Sequence, residues 1–136
     1  VQPPQIGEVI PYSYLWARER NDGEESGRKV RPCVVVVAVQ PAGKNTTLVV
    51  VAPVTSQAPT DDGAVQMPRA VKTALNLDAS PSWVICNEVN QFVWPGFDLG
   101  QTPNGARSYG RIPGSLLQKI RAEIVTMRAT SVSRDE

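Results

Sequence analysis

The sequence predicts a mainly β fold with short helices, curled into a small barrel that ends in a C-terminal helix. Two near-continuous valine strands predict it first, residues 30–39 and 46–54, joined only by the turn Pro41-Ala42-Gly43-Lys44-Asn45. Uninterrupted apolar strands are buried on both faces, and a short connection makes them an antiparallel hairpin at the centre of a closed or strongly curled sheet. Helical spacing is sustained only near the end, where Leu117, Ile120, Ile124 and Met127 share one face. A chain of 136 residues with 41% hydrophobic and 20% charged content is long enough for one real core, so a single domain over 1–136 is expected.

The remaining elements follow in order. Ile6 to Ile10 begins a first strand, and Tyr12, Tyr14 and Trp16 extend it in strict alternation, as in a half-buried strand with one aromatic face. Residues 17–29 are charged and contain Gly23 and Gly27, which predicts a long mobile loop. A loop over 58–63 precedes a short strand over 64–67. Pro68 suits the first position of a helix carrying Val71, Ala74 and Leu75 up to Asn76. Residues 83–94 read as one strand, or as two with a bend at Asn87-Glu88. A glycine- and proline-rich loop over 95–109 leads to the last helix, where Ser115 and Gln118 have capping-box spacing. The polar tail from Thr130 is expected to fray.

Composition removes several functions. Fourteen basic against thirteen acidic side chains give a net charge of +1, too little for sequence-blind attraction to nucleic acid, although a local basic patch is compatible with it. There is no histidine, which removes the commonest general acid–base and the usual metal ligand. Cys33 and Cys86 fit no zinc spacing and lie within apolar strands as small hydrophobes, with a disulfide between them left open. No phosphate-cradling glycine loop or nucleophile elbow is present. No cofactor or metal is therefore expected, and catalysis would fall to arginine, carboxylates and hydroxyls. No apolar run reaches membrane-spanning length and no signal-peptide pattern opens the chain, so a cytoplasmic protein is expected.

Arg31 stands where the loop becomes buried strand, and Pro32 biases it towards extended backbone. A guanidinium anchored there can bind phosphate bidentately and stabilise developing charge; alone, the dipeptide reads more readily as a solvated strand-end arginine. Thr55 and Ser56 end a strand, where hydroxyls either bind phosphate oxygens or simply close a turn. Glu24 and Glu25 precede the arginine strand, as a proton acceptor or as solvated loop. Tyr12, Tyr14, Trp16, Phe92 and Trp94 can stack on bases or fill the core.

Their order along the chain is more specific than any one of them. Gly7-Glu8-Val9, then Glu24-Glu25-Ser26-Gly27, Arg31-Pro32, Pro53-Val54-Thr55-Ser56-Gln57, the run Cys86 to Trp94, and Gly110-Arg111-Ile112-Pro113 before the last helix resemble the MazF/PemK (Kid) family of toxin–antitoxin ribonucleases. The resemblance runs from Gly7 to Met127. It implies an SH3-like, Kid/CcdB-type small barrel, a homodimer, and cleavage of single-stranded RNA at short sequences with growth arrest, neutralised by a cognate antitoxin. Carried over by motif, Arg31 is the active arginine and Thr55 the active threonine, with Ser56 beside it. Glu24 is the loop glutamate. Arg28, Lys29, Gln57, Tyr12 and Trp16 are expected to contact RNA around them.

The chain departs from the family pattern in three places. Lys29 and Val30 lengthen the link between Gly27 and Arg31-Pro32. The lead strand turns to Pro11-Tyr12-Ser13-Tyr14 where many members alternate acidic and apolar residues. The 95–109 loop lacks the basic clusters that some members use. The alternative within the same fold is a non-catalytic inhibitor of a protein target, as CcdB acts on DNA gyrase; a barrel that only binds is a third reading. For the homodimer, the aromatic face of the first strand and Phe92-Val93-Trp94 offer apolar surface.

Overall fold

The computed structural model describes residues 2–21, 29–96 and 99–134. Its centre is the predicted hairpin, β2 (Val30–Val39) and β3 (Thr47–Thr55), in antiparallel register from Cys33 opposite Pro53 to Val39 opposite Leu48. A register irregularity between Val35 and Val37 marks a bulge, which increases local twist. β1 (Glu8–Ser13) pairs with the outer side of β2, and the two-residue β7 (Gly110–Arg111) pairs with β1.

On its other side β3 serves two partners. Its first half pairs with β6 (Glu88–Trp94), and its last two residues pair with β5 (Trp83–Ile85), which carries β4 (Ala64–Gln66). The predicted bend at Asn87-Glu88 is the break between β5 and β6. One strand feeding two diverging partners is what curls this mostly antiparallel sheet into a half-barrel.

Both faces of the sheet are covered, because side chains alternate along each strand. Val9, Val34, Ala52 and Val54 point into a core capped by α3 (Gly114–Thr126), through Leu116, Leu117 and Ile120, and by Leu75 at the end of α2 (Arg69–Ala74). Asn76, with φ 57°, takes the left-handed conformation that ends α2, one asparagine tolerates better than most residues. The opposite parity, Ile10, Tyr12, Cys33, Val35, Val49 and Val51, joins Tyr14 and Phe92 in a second core.

Four expectations are revised. The first strand is not half-buried: Tyr12 and Tyr14 are each 1% exposed, with the Tyr12 ring stacked on Phe92 at 4.7 Å. Burying such a ring is worth about 1.5–3 kcal/mol, so the aromatic row is spent within the chain and does not supply apolar surface for a dimer. Residues 17–21 of the expected loop form helix α1 (Ala17–Asn21). The last helix begins at Gly114, with Pro113 at its N-cap, so Ser115 lies inside it and makes no capping bond. The tail does not fray at Thr130: β8 (Thr130–Ser133) runs parallel to β6, in register from Glu88–Thr130 to Gln91–Ser133.

Among the described residues no helix is long and apolar enough to cross a membrane. Cys33 and Cys86 are both free and buried. Desolvation pushes the Cys33 thiol up, partly offset by Arg31, and desolvation together with the Glu123 charge pushes Cys86 up to about 12. Since the thiolate is the reactive form, neither cysteine is expected to react with a disulfide reagent at pH 8 in the native protein. Both should react fully in guanidinium, as a thiol titration before and after unfolding would show.

Candidate active site

The open end of the β2–β3 hairpin faces a groove of about 730 Å³. The β2–β3 ladder ends at Cys33–Pro53; beyond it Arg31 stays paired with Tyr12 of β1 and Thr55 with Trp83 of β5, and both line the groove. Ser56 and Gln57 continue this rim, both exposed. The Gln57 N–H donates to Thr55 Oγ1 at 3.2 Å, a turn that holds the threonine hydroxyl as an acceptor.

Arg31 is half-buried, and its Nε is a buried donor with no hydrogen-bond partner among the described residues. Its guanidinium carbon lies 5.1 Å from the centroid of the Trp16 ring, and that of Arg18 lies 5.4 Å from the same centroid. Each contact is worth about 0.5–1 kcal/mol at an exposed site. A buried unsatisfied donor costs about 1–3 kcal/mol, which an anion in the groove would relieve. Electrostatics therefore favour a negatively charged oxygen at Arg31.

Trp16 is held by its neighbours. Its backbone N–H donates to Glu19 Oε1 at 3.0 Å, and its ring meets Tyr14 edge-on at 5.0 Å. Glu88, at the start of β6, also lines the groove. Its Oε1 accepts from the Tyr14 hydroxyl at 3.1 Å and from the Ala17 N–H at 2.9 Å. Burial, reinforced by the Glu88 charge, pushes the Tyr14 phenol well above its usual range, so it remains a donor to that carboxylate. Glu88 is a site residue the sequence reading passed over. The signal was available, in a carboxylate at the bend of an otherwise apolar strand, where such a group needs partners.

The groove is charged asymmetrically. Arg18, Lys29 and Arg31 come from the β1–β2 side, whereas Asp61 and Asp62 come from the loop before β4 and Asp78 from the loop before β5. A polyanion is thus attracted to one wall and repelled from the other, which fixes its track more tightly than a uniformly basic groove would. Lys72, 5% exposed on α2, braces the acidic wall by donating to Asp78 Oδ1 at 3.0 Å, to Ser82 Oγ at 2.7 Å and to the Ser80 carbonyl.

Arg31, Thr55, Ser56, Gln57, Lys29 and Trp16 are therefore brought to one groove. Tyr12 is not: its ring is enclosed against Phe92 and offers no face to a base. A stacked base would return about 1–3 kcal/mol, no more than the burial it would cost. Glu24 and Arg28 lie outside the described residues. Among the described residues no three histidine, cysteine or carboxylate side chains converge to hold a metal.

A small curled barrel with an arginine–hydroxyl groove at the end of its central hairpin defines the class. Residues 14–127, most of the chain, match the family described as PemK-like, MazF-like toxin of type II toxin-antitoxin system. The chain belongs to that family, and its membership implies a cognate antitoxin. No curated protein matches the chain.

The brace at Lys72 has a defined pH signature. The hydrogen bond from Lys72 holds the Asp78 carboxyl below its ordinary value, so the pair contributes stability above pH of about 4, and loses it as pH falls through the depressed folded value. Urea unfolding of the native protein and Asp78→Asn should show the native protein more stable at pH 7. The gap should close at pH 2–3.

Proposed function

We propose that the protein is a metal-independent endoribonuclease toxin that cuts single-stranded RNA at specific short sequences and arrests growth. The observation that carries this reading is the Arg31 guanidinium, half-buried, with a buried Nε that has no partner among the described residues, lining one groove with Thr55. That arrangement suits a phosphorane, where negative charge grows on nonbridging oxygens. A 2′-hydroxyl attacks the adjacent phosphorus while the bond from phosphorus to the 5′-oxygen breaks. The products are a 2′,3′-cyclic phosphate and a free 5′-hydroxyl, whose departing oxygen takes its proton from solvent water.

Arg31 stabilises the charge and Thr55, with Ser56, holds an oxygen of the phosphate or the attacking hydroxyl. The proton of the 2′-hydroxyl passes to a carboxylate, for which the motif offers Glu24 and the described groove offers Glu88. Arginine is too weak an acid to lose its proton readily near neutrality. The rate then rests on positioning and electrostatics, and turnover is slow. Lys29, Gln57 and Trp16, with Arg28 from the sequence motif, line the path of the RNA. The working unit is one toxin domain over 1–136, a cytoplasmic homodimer, silenced when its antitoxin occupies the groove.

The test is incubation of a long single-stranded RNA with purified protein in EDTA, beside Arg31→Ala. Fragments bearing cyclic phosphate and 5′-hydroxyl ends are expected, with cleavage by Arg31→Ala slower by about 10²–10³-fold. Equal cleavage by both proteins would place the chemistry elsewhere. No cleavage by either, on RNA containing every short motif, would favour inhibition of a protein target.

A further inference from the structure

Behind the groove lies a buried polar cluster that the proposed chemistry does not use. Asn90, in the middle of β6, has 0% exposure. Its Oδ1 accepts from the Leu15 N–H at 2.9 Å, and its Nδ2 donates to the Leu15 carbonyl at 2.8 Å. One carboxamide thus grips both polar groups of a single residue, as a neighbouring strand would. Arg134, 3% exposed just after β8, donates from Nη1 to the same Asn90 Oδ1 at 3.1 Å and to the Ser13 carbonyl at 3.0 Å. Its guanidinium carbon sits 5.6 Å from the Tyr12 ring centroid, and its own N–H extends the β6–β8 pairing by donating to the Gln91 carbonyl at 2.8 Å.

We infer that Arg134, acting through Asn90, is a positioning residue that fixes the Ser13–Trp16 segment and so sets the place of the Trp16 ring in the groove. The β1 ladder ends at Ser13, and side chains take over the work of a ladder from that point. Arg134 holds residue 13, Asn90 holds residue 15, Glu19 holds the N–H of residue 16 and Glu88 that of residue 17. A guanidinium can only donate. The Leu15 N–H and carbonyl already set the orientation of the Asn90 carboxamide, and the guanidinium reinforces it by donating to the same oxygen. Without Arg134 the Ser13 carbonyl and the Asn90 Oδ1 each lose that donor, and the turn before Trp16 is held less firmly. In this clamp, β8 and Arg134 lie beyond the residues of the family match.

The RNA arm of the test rests on the groove being the RNA site; the spectroscopic arm does not. The full chain is labelled with 5-fluorotryptophan, and its three tryptophans are followed by fluorine NMR, with Trp16 assigned through Trp16→Phe. Arg134→Met, which keeps an apolar stem over Tyr12, is expected to shift or split the Trp16 signal and leave that of Trp83 in place. Arg134→Lys, which retains donors, should restore it. Arg134→Leu, which also lacks a donor, provides the same comparison should the methionine variant fail to fold.

Affinity for a single-stranded RNA with 2′-O-methyl riboses should fall about five- to tenfold in Arg134→Met, but not when Trp16 is already alanine, the coupling expected of residues acting as one unit. An unchanged Trp16 signal in a folded Arg134 variant overturns the inference whatever the RNA does. Equal losses of affinity with and without Trp16 also overturn it, since they would mark a general structural effect. A shifted signal in a protein that binds no RNA upholds the clamp and overturns the ribonuclease reading.

Discussion

The register of β2 on β3 is the constraint on which the rest of the molecule depends. A slip of one residue would turn Val34, Ala52 and Val54 from the helix-covered core to the aromatic one, and the aromatic set the other way. The two cores differ in shape: one accepts the aliphatic face of α3, the other stacks Tyr12 on Phe92. Only one register fits both. The same register ends at Cys33–Pro53, just short of Arg31 and Thr55, so the packing that stabilises the sheet also brings both to the groove.

The end of that register becomes a site because its two strands go on to different partners. Past Cys33–Pro53, Arg31 of β2 stays paired with Tyr12 of β1 and Thr55 of β3 with Trp83 of β5, and both line the groove. The cation at this end is steadied by an indole, the indole by Tyr14, and Tyr14 by a carboxylate of β6. The links come from β2, from the segment between β1 and α1, and from β6. The groove thus inherits its geometry from the whole curled sheet, whereas its charge pattern comes from the loops, basic near β1 and β2 and acidic near β5.

The parts of the fold legible in the sequence are those whose signal is local. The valine runs place β2 at the expected residues and β3 within one residue at each end. The bend at Asn87-Glu88 and the helical face of Leu117 and Ile120 are legible for the same reason. Arg31, Thr55 and Trp16 were legible as candidates because Arg31-Pro32 and Thr55-Ser56 mark strand ends. What escaped is non-local. Thr130-Ser131-Val132-Ser133 has one buried apolar residue and no reason to be a strand until β6 lies beside it. Asn90 carried a usable signal, a polar amide between Val89 and Phe92 in a buried strand, but the identity of its partners, Leu15 and Arg134, depends on contacts across the fold.

The sequence by itself determined the strand-forming segments, the terminal helix, the family and the residues able to handle a phosphate, because composition, periodicity and motif order are written along the chain. The tertiary structure alone decided which aromatic residues reach the groove, that Glu88 joins them, and that the tail is a strand whose arginine braces the segment before Trp16. Alternation tells that a side chain has a face; only the closing of the sheet tells whether that face meets water or another core.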